Sequence, residues 1–194
     1  MQVKPDWDMI YPLKEFYEQS ALPLPSFARI EGPDMPEPYR SLLVHERDMT
    51  PTLEEACHCS IRLCVLRYEQ RVNLVSRQVT LVPEGSETPV AFGAIRIDLE
   101  YLSPEARGLV LERRQPLGTI LRTQGIEHVS RPSAFFQVRS DALINSALQL
   151  SAACVLFGRR NVITDAAHRT LAEVVEILPP SNGISHPENF GIEC

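Results

Sequence analysis

Six stretches of the chain, 60–69, 72–82, 89–98, 126–138, 155–163 and 170–178, combine β-branched and aromatic residues with interspersed polar ones, and each is predicted to be a β-strand. The polar turns Glu84-Gly85-Ser86-Glu87 and Asp165-Ala166-Ala167-His168 are too short for a crossover helix, so the strands they join pair antiparallel. Helical signals fall elsewhere. Leu13, Phe16 and Tyr17 after Pro12 mark a first short helix, and Thr50 followed by Pro51 reads as the N-cap and first residue of a second, with Glu54 and Glu55 near its positive end. Ser103-Pro104-Glu105 starts a third helix to about Arg114, and Pro116 opens a short fourth that Gly125 ends. Leu22-Pro23-Leu24-Pro25 and the prolines at 33, 36 and 38 predict extended chain between the first two helices. An α+β class follows, an antiparallel sheet covered by helices.

Composition narrows the function. A chain of 194 residues with 44% hydrophobic and 23% charged residues can bury one substantial core, and a single domain is the simplest reading. No apolar run approaches the roughly 20 residues of a membrane helix, and Met-Gln-Val-Lys-Pro-Asp-Trp-Asp has no secretion-type apolar region, so a cytoplasmic location is expected. A net charge of −6 argues against nucleic acid or an anionic membrane as the main partner. Five cysteines at irregular spacing read as free thiols. Cys57-His58-Cys59 has neighbours that diverge on a helix and no second pair at zinc spacing, so packing is the reading and no metal is expected. No phosphate-binding glycine loop occurs, and the five histidines are dispersed without a nucleophile motif.

Two positions break the apolar pattern. In the second strand Val75, Arg77, Val79 and Leu81 share one face, which places a permanent cation on an apolar surface. It requires an anion, either a protein carboxylate or a ligand. In the last strand Glu176 lies on the face of Ala172, Val174 and Leu178, and Glu173 on the face of Leu171, Val175 and Ile177. Spacing does not choose between them; one could pair with Arg159 or Arg160 while the other is solvated.

In order along the chain, Asp48-Met49-Thr50, Arg77, Phe92-Gly93, Gln115-Pro116-Leu117-Gly118, Leu156-Phe157-Gly158-Arg159-Arg160 and Glu176-Ile177-Leu178-Pro179 resemble the chorismate lyase family. The resemblance covers about Asp48 to Pro180, and divides the chain into a packing extension (1–47), a lyase-like domain (48–180) and a tail (181–194). It implies a six-stranded antiparallel sheet with helices on one side and helical flaps over an enclosed site. By that resemblance Arg77 binds the ring carboxylate, Glu176 meets the 4-hydroxyl, Met49 and Leu117 are flap contacts, and Gly93 leaves room for the ring. Arg77 and Glu176 would be catalytic and Glu173 a bystander. The family has an arginine after the glycine where this chain has Ala94, and Arg96, on the face of Ala94, is the candidate substitute.

The implied reaction removes pyruvate from chorismate, leaves 4-hydroxybenzoate and uses no cofactor. Two alternatives stand beside it. One is a related enzyme acting on another enolpyruvyl or hydroxybenzoate compound. The other is a non-catalytic module that binds a small aromatic carboxylate, since the same fold serves as the effector-binding domain of bacterial transcription regulators. A small-molecule partner is common to all three.

Overall fold

The computed structural model describes residues 7–180. After a 3-10 turn (Trp7–Ile10) come α1 (Leu13–Gln19), β1 (Phe27–Ile30), α2 (Tyr39–Leu43), α3 (Met49–Cys57), β2 (Ile61–Arg71), β3 (Leu74–Pro83) and β4 (Ala91–Asp98). Then follow α4 (Pro104–Glu112), α5 (Leu117–Thr123), β5 (His128–Arg139), α6 (Ala142–Leu148), β6 (Val155–Asp165) and β7 (Thr170–Leu178). One sheet holds all seven strands in the order β1-β5-β6-β7-β4-β3-β2, and every neighbouring pair is antiparallel. The α+β class and the antiparallel sheet are as the sequence predicts. No helix among the described residues is long and apolar enough to cross a membrane.

The seventh strand is β1, inside the segment expected to be only extended; it pairs Phe27 with Val138 and Ile30 with Phe135. Four residues are too few for an alternation signal. Because β1 reaches only this end of β5, Pro132 lies beyond it, and the register shift between Pro132 and Ala134 accommodates a residue that cannot donate to a ladder.

Helices cover both faces, not one. On the first face, α4 and α5 bury Ala106, Val110, Leu117, Ile120 and Leu121 against Val75, Ile97, Ile163 and Val174. Leu42, Leu43, Met49 and Leu53 of α2 and α3 bury against Leu81, Ala91 and Leu178. On the second face, Leu13, Phe16 and Tyr17 of α1 and Ile144 and Leu148 of α6 pack on Phe92, Ala94, Phe136, Val175 and Ile177. α6 has neither a proline at its start nor a glycine at its end to mark it in the sequence; its start is set by Asp141, whose carboxylate accepts from Ile144 N–H at 2.9 Å. Ser103 caps α4 as expected. α3 begins earlier than Thr50-Pro51 implies, with Asp48 at the cap. Pro51 is tolerated in its first turn because those N–H groups have no partner within the helix. The proposed tail, 181–194, lies outside the described residues.

Candidate functional site

Register builds the site on the first face. Val79 pairs with Gly93, Gly93 with Glu176, and Glu176 with Arg159, forming one row across β3, β4, β7 and β6. The adjacent row of the same face runs Arg77, Ile95, Val174, Asn161. Over these rows the start of α3 and the start of α5 close a cavity of about 80 Å³, room for several water-sized groups. Its walls include Met49, Arg77, Gly93, Leu117 and Glu176, the five residues singled out from the sequence, together with Asp48, Thr50, Val79, Leu81, Ile95, Asn161 and Val174.

Arg77 is the unusual member. It is 1% exposed, and its Nε and Nη2 are buried without a hydrogen-bond partner. No ion pair reaches it among the described residues. Burial is the main reason its guanidinium is pushed down to about 10; Tyr68 opposes that shift and the charge of Arg113 adds to it. The protein carboxylate that could have met Arg77 is therefore elsewhere. A buried donor left unpaired costs about 1–3 kcal/mol, so the free protein keeps this arginine at a loss.

Glu176 is held by Arg159. Nε of Arg159 donates to Glu176 Oε2 at 2.6 Å, and the arginine is fully buried while the glutamate side chain is 14% exposed. The rest of the Arg159 guanidinium donates to the carbonyls of Leu43, His45 and Arg47 at 3.1–3.2 Å, which fastens the segment leading into α3 to the sheet. His45 completes this corner as a neutral ring. Nε2 lies 2.8 Å from the Leu42 carbonyl and so carries the hydrogen, which leaves Nδ1 to accept from Arg47 N–H and Arg159. Burial, and then the Arg159 charge, hold its pKa below the usual histidine value. On the opposite face Glu173 pairs with Arg160 at 2.6 Å, with side chains 26% and 21% exposed, so both glutamates are paired.

Three expectations change. Gly93 lines the cavity, but what forbids a side chain there is the neighbouring strand: a Cβ would lie 2.0 Å from the Val175 carbonyl oxygen. Arg96 does not substitute for the missing arginine, because it lies on the second face with Tyr11 and Glu15. Third, Asp48, His128 and Asn161, to which the sequence assigns no role in the site, belong to it or border it. Asp48 Oδ2 accepts from His128 Nε2 at 2.8 Å, and Asn161 donates to Ser130 Oγ at 2.6 Å. The signal for Asn161 was present, since Arg159, Asn161 and Ile163 alternate onto the face of Glu176. Among the described residues, no group of three or more His, Cys, Asp or Glu side chains could hold a metal ion.

No protein-family model matches the sequence, and no curated protein matches it either. Solved structures do match in fold. The effector domain of PhnF from Mycobacterium smegmatis superposes with a TM-score of 0.52 at 12% identity, over 69% of this chain and 89% of that one. Whole PhnF gives 0.52 at 13% identity over 71% of this chain, and this chain spans 66% of its length. A GntR-family transcriptional regulator from Bacillus cereus gives 0.44 at 12% identity, over 62% and 92%. The chain thus has the fold of an effector domain. This corrects the expectation of a chorismate-cleaving enzyme: the fold is matched by the effector domain of PhnF. The carboxylate assigned to catalysis is also committed to Arg159.

Proposed function

We propose that this chain is a non-catalytic binding module that encloses a small organic carboxylate. One observation carries the reading: an arginine 1% exposed, without a counter-charge among the described residues, lines a cavity whose other walls are largely apolar. A carboxylate would supply two parallel charge-assisted hydrogen bonds to the planar fork and cancel its charge. Val79, Leu81, Ile95 and Val174 suit an apolar body, and a flat aromatic ring fills such a slot with little loss of conformational freedom. Met49 and Leu117 then cover the ligand from α3 and α5, and Glu176 with Arg159 forms the wall beside it. The effector-domain fold supports binding without turnover.

Calorimetric titration with benzoate tests this, using the wild type and an Arg77→Met variant whose folding is checked by circular dichroism. Saturable binding by the wild type and a loss of at least about 30-fold in the variant are expected, because a buried charged pair contributes roughly 2–5 kcal/mol. Equal affinity in the two proteins would remove Arg77 from the site and the reading with it.

A further inference from the structure

Asp48 stands at the N-cap of α3, where an aspartate ordinarily accepts from a first-turn N–H, yet its side chain makes no capping bond. It is turned to His128 through Oδ2, while Oδ1 is buried with no partner at all. The residue lines the cavity, and α5 abuts it so closely that a Cβ on Gly118 would lie 3.1 Å from Oδ2.

The state of this pair follows from its hydrogen bonds. His128 Nδ1 lies 2.8 Å from the Ile126 carbonyl, which can only accept, so Nδ1 carries a hydrogen. Nε2 faces the carboxylate at 2.8 Å and also donates. A ring that donates from both nitrogens is an imidazolium, and Asp48 is its ionised partner. Burial works to lower the His128 pKa, but the Ile126 and Asp48 hydrogen bonds and the Asp48 charge outweigh it and raise it, in agreement with that geometry.

The charged side chains lining the cavity then sort themselves. Glu176 is cancelled by Arg159 and Asp48 by His128, so Arg77 is the charge left over. Among the fully buried acceptors of the described residues, Asp48 Oδ1 is the carboxylate oxygen without a partner, with Asn161 Oδ1 a second unpartnered acceptor on a residue of the same walls. Glu176 Oε2 already holds a 2.6 Å bond, so a ligand donor directed there would compete with an arginine.

Building on the binding-module reading above, we infer that Asp48 is a specificity-determining residue: it accepts a hydrogen bond from a neutral donor on the ligand, and the site selects monoanions that carry a hydroxyl apart from their carboxylate. A monoanion neutralises the surplus charge of Arg77. An ammonium in place of the hydroxyl would make the ligand a zwitterion and leave that charge uncancelled. The contact would fall on the residue that starts α3, the helix that covers the cavity, so the ligand's second polar group would tie the cover to the sheet-bound carboxylate.

The experiment is calorimetric titration of the full chain with benzoate, the three monohydroxybenzoates and the three matching monofluorobenzoates, in which fluorine keeps the shape and removes the donor. At least one hydroxy isomer is expected to bind the wild type about tenfold or more tighter than its fluoro counterpart, the scale of one hydrogen bond to a charged group. In Asp48→Ala this ratio should fall to near one, and in Asp48→Asn, whose amide oxygen still accepts a hydrogen bond but carries no charge, it should shrink by less. A ratio near one in the wild type, or a ratio that survives both substitutions, overturns the assignment of Asp48 while leaving the anion site intact. Failure of every acid to bind the wild type removes the anion site, and this inference falls with it.

Discussion

Replacing Arg77 by methionine should make the unliganded protein more stable, against the usual direction for a core substitution. The side chain is 1% exposed, Nε and Nη2 are buried without partners, and no ion pair is lost when they go. Each unsatisfied buried donor costs about 1–3 kcal/mol, and methionine fills a similar length with an adaptable apolar chain. Allowing for imperfect repacking, a net gain of about 2 kcal/mol is expected, which for a chain of this size raises Tm by roughly 4–8 °C. The assay is scanning calorimetry of wild type and variant with and without benzoate. Benzoate at 100 times its wild-type Kd should stabilise the wild type by about 2.7 kcal/mol and the variant by about 0.9 kcal/mol or less. Destabilisation of the free variant by 2 kcal/mol or more would refute the reasoning, because it would mean that Arg77 is satisfied in the folded protein.

Glu176→Gln should destabilise by about 3–5 kcal/mol in urea titrations, since it leaves the fully buried Arg159 charge unmatched, whereas Glu173→Gln, on the partly exposed Arg160 pair, should cost less, about 1 kcal/mol. Gly93→Ala should cost at least about 3 kcal/mol, because its Cβ meets the Val175 carbonyl oxygen in a strand that cannot withdraw without breaking its ladder. Two histidines shape the pH dependence of Tm. His45 is depressed, so the folded protein resists its protonation, and stability falls as pH drops below the ordinary value of about 6.5 through the lowered one. His128 is raised, so its contribution is complete below about 6.5 and is lost as pH climbs through the raised value. His45→Gln should flatten the acid limb and His128→Gln the basic limb; interchanged effects would mean the two charge states are reversed.

The parts of the fold legible in the sequence are those with long periodic runs or explicit punctuation. β3 was readable because Val75, Val79 and Leu81 fall on alternate positions interrupted by Arg77, and α4 because Ser103-Pro104 supplies both a cap and a pre-set first residue. β1 and α6 were not, since four residues give β1 no period and α6 lacks the proline start that marks α1 and α5 of the same length; their stability comes from β5 and from the second face of the sheet. At the site, alternation gave Arg77 its unusual face but could not say which carboxylate it meets. That depended on register: pairing β6 with β7 sets Arg159 opposite Glu176 and leaves Arg77 to the row of Ile95, Val174 and Asn161. The Asp48–His128 pair joins residues 80 positions apart, a closure no local pattern records.

The most direct measurement is nuclear magnetic resonance of the Arg77 Nε–H, assigned by comparison with Arg77→Met, during titration of the labelled chain with benzoate. A saturable shift of that resonance is expected, with slowed exchange of its proton as the guanidinium gains a partner. Binding that shifts other resonances and leaves Arg77 Nε–H unchanged to saturation would contradict the claim that this arginine is the anion site.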